Sequence, residues 1–117
     1  MYRVGIAGYG SVGVIRHRVV GELEGFEVVA LADQRFLDSK EHPPALSCFP
    51  HYEEMLERTQ LDVLFVCLPN YLAAEATIAG LNRGLHVFCE KPPGRSLSDI
   101  SRVIQVENSH PTLKLMY

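Results

Sequence analysis

The sequence predicts an α/β fold, a doubly wound parallel sheet with helices on both faces. Short continuous apolar runs, such as those at 26–32 and 62–68, alternate along the chain with segments of helical periodicity. Continuous apolar runs are typical of strands buried on both faces, and the strand–helix alternation is typical of a parallel sheet. With 117 residues, of which 47% are hydrophobic, the chain is long enough for one packed domain, predicted at 1–117.

The first strand is predicted at 3–7, where a short apolar run ends in a glycine-rich turn. The apolar residues that follow recur at steps of three and four, as on one face of a helix, namely Val12, Ile15, Val19 and Leu23. Gly25 ends this helix, and the apolar run at 26–32 predicts the second strand.

The segment 34–52 is predicted to be mostly loop. Pro43, Pro44 and Pro50 leave little room for a long helix there. A short strand is expected near 48–49, and a short helix follows at 53–58.

The second half of the chain repeats the alternation. Strands are predicted at 62–68, 86–89 and 112–117, and helices at 70–83 and from 96 to the residue before Pro111. Gly84 stands where a C-terminal helix cap is expected. Ser96 and Asp99 form the S-x-x-D pattern that begins a helix.

A G-x-G-x-x-G sequence follows the first strand and opens the first helix. Gly8 suits a tight turn, Gly10 lets the backbone approach a pyrophosphate, and Gly13 lets the helix lie close to the sheet. The helix N-terminus, with Ser11 and Val12, offers unpaired N–H groups to phosphates. These five residues are therefore predicted to bind a dinucleotide. The alternative is a plain tight turn between strand and helix.

An acidic residue ends the second strand, 20 positions after Gly13. A carboxylate at Asp33 can accept hydrogen bonds from the adenosine ribose hydroxyls, and it would repel a 2′-phosphate. This favours NAD as the cofactor, with NADP as the second choice, although Arg35 could form an ion pair with the 2′-phosphate of NADP. The alternative for Asp33 is a turn-forming aspartate.

Composition excludes several classes of function. The net charge of −3 gives no reason to expect a nucleic-acid partner, and no apolar run approaches the ~20 residues of a membrane helix. The five histidines and three cysteines show no metal-ligand spacing, so no metal is expected. Three unpaired cysteines suggest a reducing compartment, and a cytoplasmic location is expected.

Two further strands end in residues that carry chemistry. Pro69 and Asn70 follow one strand, and Glu90 and Lys91 follow another. Ligands of open α/β sheets bind beyond the carboxyl ends of the strands, so these residues are expected to face the same crevice.

Three stretches together resemble the Gfo/Idh/MocA family: the glycine turn with its acid, residues 67–75, and residues 84–92 with the sequence Gly-Leu-His-Val-Phe-Cys-Glu-Lys-Pro. The resemblance implies a Rossmann fold and an NAD(P)-dependent oxidoreductase that moves a hydride to or from a sugar or polyol carbon. It also implies a homo-oligomeric full-length protein with a second, substrate-binding domain, absent here, that would begin where the strand at 112–117 ends.

The resemblance also assigns roles. The segment 68–70 (Leu68, Pro69 and Asn70) would run along the nicotinamide ribose. Glu90 would contact that ribose or the nicotinamide end, and Lys91 would be the catalytic residue at the reacting hydroxyl. A lysine suits this role because its side chain is one whose pKa burial and positive neighbours can lower into the working range. We expect the chain alone to bind cofactor with little turnover. The alternative is a stand-alone nucleotide-binding or NAD(H)-sensing module without catalysis.

Overall fold

A single parallel sheet organises the computed structural model, which describes residues 1–38 and 42–117. Its six strands are β1 (Tyr2–Ala7), β2 (Phe26–Ala32), β3 (Ser47–Phe49), β4 (Val63–Val66), β5 (His86–Cys89) and β6 (Leu115–Met116). Their order in the sheet is β3-β2-β1-β4-β5-β6, and every neighbouring pair is parallel. The predicted doubly wound fold is confirmed. The part of the predicted loop at 39–41 lies outside the described residues.

In the described residues, four α-helices connect the strands: α1 (Ser11–Gly21), α2 (Tyr52–Arg58), α3 (Asn70–Asn82) and α4 (Leu97–Asn108). Each was predicted to within two or three residues. The Ser96 side chain accepts a hydrogen bond from the Asp99 backbone N–H, as the capping pattern predicts. A 3₁₀ helix at Gln34–Leu37 replaces part of the loop predicted at 34–52, because the Asp33 side chain caps it.

The apolar core is divided between the two faces of the sheet. On one face, alternate strand residues such as Leu64 and Val66 pack with α2 and α3. On the other, Val4 and Ile6 pack against Val20 of α1. Residues that alternate along each strand thus fill both layers, as expected of a parallel sheet buried on both faces.

The helix α1 turns a different side to the sheet from the one its apolar periodicity suggests. Gly13 and Val20 face the sheet and are buried. The four apolar residues at helical spacing remain 40% to 49% exposed, namely Val12, Ile15, Val19 and Leu23. The close approach of Gly13 to the backbone of Gly8 fixes how the helix is rotated about its axis. Within the described ranges, no helix is long and apolar enough to cross a bilayer.

Candidate functional site

A cavity of about 550 Å³ lies beyond the carboxyl ends of the strands. It is lined by the glycine turn, by residues after β2, β3 and β4, and by the start of α3, namely Gly8, Gly10, Ser11, Val12, Ala32, Asp33, Gln34, Pro50, His51, Tyr52, Glu53, Cys67, Leu68, Pro69, Tyr71 and Leu72. The volume lies within the range of small-molecule sites. Its place between β1 and β4, where the strand order reverses, is where open α/β sheets bind ligands.

The three glycines of the turn differ in what a side chain at each position would contact. A Cβ on Gly8 would lie 2.4 Å from the carbonyl oxygen of Cys67, and Gly8 has a φ of +93°. A Cβ on Gly13 would lie 2.1 Å from the carbonyl oxygen of Gly8. A Cβ on Gly10 would meet no atom within 4 Å. Packing therefore explains Gly8 and Gly13, whereas Gly10 leaves open space in the cavity wall.

The N-terminus of α1 opens onto that space. Within the described ranges, no side chain caps this end of the helix, and its first turn holds no acidic residue. The first helical hydrogen bond runs from the Val14 N–H to the Gly10 carbonyl, at 3.0 Å. The N–H groups of Ser11, Val12 and Gly13 precede that bond and so have no acceptor within the helix. A helix N-terminus with such N–H groups binds anions favourably.

Asp33 is held in place at the other end of the cavity. Its Oδ2 accepts a hydrogen bond from the Tyr9 backbone N–H at 2.7 Å, and its Oδ1 accepts one from the Arg35 backbone N–H at 3.0 Å. Each carboxylate oxygen retains a further lone pair for a ligand hydroxyl. Asp33 therefore has both of the roles considered from the sequence. It shapes the turn after β2, and it offers hydrogen-bond acceptors in the cavity wall.

A cation stands beside this carboxylate. Nε of Arg35 lies 3.8 Å from Oδ1 of Asp33, and the guanidinium carbon lies 5.0 Å from the centroid of the Tyr9 ring. The stacking holds the guanidinium near Asp33. Any group bound to the carboxylate would therefore also meet a positive charge.

The ring of Tyr9 is fixed from the side of α1. Its hydroxyl oxygen lies 2.7 Å from Nδ1 of His17. Burial raises the pKa of Tyr9, and burial lowers the pKa of His17. The imidazole is therefore stabilised as the neutral ring, which can accept the tyrosine hydrogen bond at Nδ1.

The structure places the residues after β4 and β5 differently. Leu68 and Pro69 line the cavity, whereas Asn70 begins α3 outside the lining. The Glu90 N–H donates to the Val66 carbonyl at 2.8 Å, which continues the ladder between β4 and β5. Its carboxylate turns towards Arg16 of α1, and Lys91 is exposed beyond the cavity wall.

The wall also contains residues that the sequence patterns did not single out. Pro50 and His51 directly follow β3, and Tyr52 and Glu53 begin α2. Burial, with smaller contributions from Glu53 and Glu75, raises the pKa of Tyr52 to about 12. The signal was present: these residues follow the carboxyl end of a parallel strand, as Asp33 does.

The cysteines and the possible metal ligands bear on the chemistry available at the cavity. The three cysteines are free, and in the part of the chain that the structure describes, no group of three His, Cys, Asp or Glu residues could hold a metal ion. Burial, with a smaller contribution from Glu90, raises the pKa of Cys67 to about 12. Cys67 is therefore a protonated thiol in the wall at neutral pH.

The sheet and its cavity define a doubly wound α/β domain with a ligand site where the strand order reverses. Residues 2–116 match the Gfo/Idh/MocA family, described as an oxidoreductase family with an NAD-binding Rossmann fold. The chain belongs to this family, and the resemblance drawn from its three motifs is confirmed.

Similar proteins are longer than this chain. It is 29% identical over 115 residues to an inositol 2-dehydrogenase of Salmonella paratyphi B, a match that covers 92% of this chain and 34% of that protein. It is 31% identical over 100 residues to D-xylose 1-dehydrogenase (NADP(+)) 2 of Haloferax volcanii, covering 86% and 31%. A scyllo-inositol dehydrogenase from Lactobacillus casei, solved with NAD(H) and scyllo-inositol, matches with a TM-score of 0.89 and 25% identity, covering 99% and 35%. The chain thus spans about a third of each.

Proposed function

We propose that residues 1–117 form the dinucleotide-binding domain of an oxidoreductase that transfers a hydride between NAD and a sugar or polyol carbon. The observation that carries this proposal is the open space at Gly10, directly in front of the uncapped N-terminus of α1. Nothing in the packing requires a glycine there, whereas a pyrophosphate does. Family membership and the similarity to inositol dehydrogenases support the same conclusion.

The proposal assigns each part of the cavity to a part of the cofactor. The backbone N–H groups at Gly10, Ser11 and Val12 would hold the pyrophosphate. Asp33 would accept hydrogen bonds from the adenosine ribose. In the other half of the sheet, the segment 68–70 and Glu90 would lie along the nicotinamide ribose.

We propose NAD as the cofactor, with NADP second. The Asp33 carboxylate would repel a 2′-phosphate, and both of its oxygens are already fixed towards the cavity by backbone N–H groups. Arg35 weakens this preference because its guanidinium stands beside the carboxylate. An NADP-dependent relative is similar over 86% of this chain, so family membership alone does not choose between the two.

Lys91 is proposed as the residue that exchanges the proton of the reacting hydroxyl. It follows β5, on the half of the sheet opposite to Asp33, and it is exposed. The nicotinamide ring would supply the hydride chemistry when the cofactor is bound. A neutral lysine takes the hydroxyl proton in oxidation, and its ammonium returns the proton in reduction.

The chain alone is proposed to bind cofactor with little turnover, because it spans about a third of the dehydrogenases it resembles. Sugar or polyol contacts and homo-oligomer formation would belong to the full-length protein. We propose a cytoplasmic location, in keeping with three free cysteines, and neither nucleic-acid nor membrane partners.

One observation favours a second candidate, a nucleotide-binding or NAD(H)-sensing module without catalysis. Lys91 is exposed and is not among the residues that line the cavity proposed to hold the cofactor. Cofactor oxidation or reduction by the full-length gene product, assayed with sugars and polyols, separates the two. Turnover that Lys91→Met abolishes supports the oxidoreductase, and binding without any turnover supports the module.

The test of the proposal itself is a titration of NADH with this chain, followed by the increase of nicotinamide fluorescence. Saturable binding that ADP displaces is the expected result, because ADP shares the pyrophosphate and the adenosine. Failure of both NADH and ADP to bind would overturn the proposal.

A further inference from the structure

An ion pair joins two segments that lie 74 positions apart in the sequence. Nε of Arg16, in α1, contacts Oε1 of Glu90, the residue directly after β5. The guanidinium carbon of Arg16 also lies 5.3 Å from the centroid of the Phe88 ring. The two charged side chains are 35% and 18% exposed, so they are partly withdrawn from water and their charges act more strongly than on an open surface.

The ion pair lies on the half of the sheet that would take the nicotinamide nucleotide. A doubly wound sheet binds one mononucleotide over each half, and the acid after β2 marks the adenosine half. Glu90 follows β5, two strands beyond β1 on the opposite side. Arg16 reaches it from the same helix whose N-terminus faces the proposed pyrophosphate.

The two oxidation states of the cofactor differ in charge at that end. The nicotinamide ring is a cation in NAD+ and is neutral in NADH. A carboxylate nearby stabilises the cation, and a guanidinium paired with that carboxylate cancels the effect. The balance of these two charges therefore changes the relative affinity for the two forms.

We propose that Arg16 is a positioning residue that neutralises Glu90 and so sets the preference of this domain between NAD+ and NADH. The inference rests on the proposed function, because it requires the nicotinamide to lie over β4 and β5. Arg16 acts through Glu90 and does not touch the reacting atoms. Its contact with Phe88 holds the guanidinium over β5, beside Glu90.

The test measures dissociation constants for NADH by fluorescence and for NAD+ by competition. The readout is the ratio Kd(NADH)/Kd(NAD+). In Arg16→Met, the carboxylate is left without its partner, and the ratio should rise roughly threefold to tenfold, the effect expected of one unpaired unit charge near the ring in a partly screened site. In Glu90→Gln, the guanidinium is left alone and the ratio should fall by a similar factor.

The double variant Arg16→Met with Glu90→Gln removes both charges, and its ratio should return to within about twofold of the unmodified chain. Arg18→Met is the matched control, because Arg18 is an exposed cation of the same helix. It should leave the ratio unchanged. Arg16→Lys retains the charge and should retain the ratio.

If Arg16 only stabilised the conformation of the segment after β5, the variants would behave differently. Arg16→Met would then weaken NAD+ and NADH by the same factor, the ratio would stay constant, and this outcome overturns the inference. Circular dichroism establishes that each variant is folded; if Arg16→Met is not, Glu90→Gln alone decides by the direction of its shift. Binding of ADP to the unmodified chain, measured in parallel, distinguishes failure of this inference from failure of the proposed function. If neither ADP nor NADH binds the unmodified chain, the proposed function itself is wrong.

Discussion

The backbone of Gly8 occupies the space that a side chain on Gly13 would need. A Cβ built on Gly13 lies 2.1 Å from the Gly8 carbonyl oxygen and 3.0 Å from its carbonyl carbon. Neither group can move far, because Gly8 donates its N–H to Ala32 at 2.7 Å and lies against the backbone of Cys67. This contact brings α1 close to the sheet and fixes the position of the helix N-terminus.

Replacing Gly13 by alanine should therefore destabilise the fold. We expect a loss of about 1–3 kcal/mol in the free energy of unfolding, the usual cost of overpacking a tight contact. Urea denaturation followed by circular dichroism measures it. Gly21→Ala is the matched control, since Gly21 ends the same helix and its Cβ would meet nothing within 4 Å. Equal stabilities of the two variants would contradict the packing role of Gly13.

Asp33 should decide between the two dinucleotides. The unmodified chain should bind NAD more tightly than NADP by about 1–3 kcal/mol, since charge repulsion and a lost ribose hydrogen bond each cost about that much. Asp33→Asn removes the charge and should narrow the difference, whereas Arg35→Gln should widen it. Competition against bound NADH measures the affinities of NAD and NADP for the unmodified chain and for each variant. Equal binding of NAD and NADP by the unmodified chain would mean that Arg35 outweighs Asp33.

The stability of the chain should fall in mild acid because of His17. Burial lowers the pKa of this residue from its usual 6.5, so below about pH 6.5 the unfolded chain binds a proton that the folded chain excludes. Stability then decreases as the pH falls through 6.5 towards the lower pKa of the folded state. His17→Gln should reduce this slope. Urea midpoints between pH 5 and 8 test it, and an unchanged slope in the variant would assign the effect to other groups.

Lys91 should matter for turnover far more than for cofactor binding. In the full-length protein, Lys91→Met should lower kcat/KM by about 10²–10⁴-fold, the usual worth of acid–base assistance. In this chain, the same substitution should change NAD affinity by less than about 1 kcal/mol, since Lys91 lies outside the cavity lining. Loss of affinity with turnover retained at saturating NAD would make Lys91 a cofactor anchor.

Local patterns predicted most of the fold. Apolar runs gave the strands, and the Ser96 and Asp99 pattern gave the start of α4, because these signals depend only on neighbours in the chain. The rotation of α1 was not predicted, since its regularly spaced apolar residues Val12, Ile15 and Val19 stay exposed. Gly13 sets the contact with the sheet instead. The 3₁₀ helix was not predicted: the turn-forming role of Asp33 was considered as an alternative to ligand binding, but the sequence pattern did not indicate that its side chain would cap a helix.

The site residues that directly follow strands were predictable, whereas those positioned by contacts across the sheet were not. Most of the predicted residues line the cavity, namely Gly8, Gly10, Ser11, Val12, Asp33, Leu68 and Pro69, whereas Gly13 is not in the lining and packs against Gly8. The pair between Arg16 and Glu90 spans 74 positions, and no local spacing signals it. The network of Tyr9 and His17 likewise depends on how α1 lies beside the turn.

The most direct test of the account is NADH binding by Gly10→Val compared with Gly21→Val. Both glycines lie at the ends of α1, and a Cβ at either position meets no atom, so both variants should fold with near-unchanged urea midpoints. We expect Gly10→Val to weaken NADH and ADP binding at least tenfold, about 1.4 kcal/mol, because its side chain fills the space for the pyrophosphate. Gly21→Val should bind as the unmodified chain does. Unchanged affinity in a folded Gly10→Val would contradict the assignment of this turn to the cofactor.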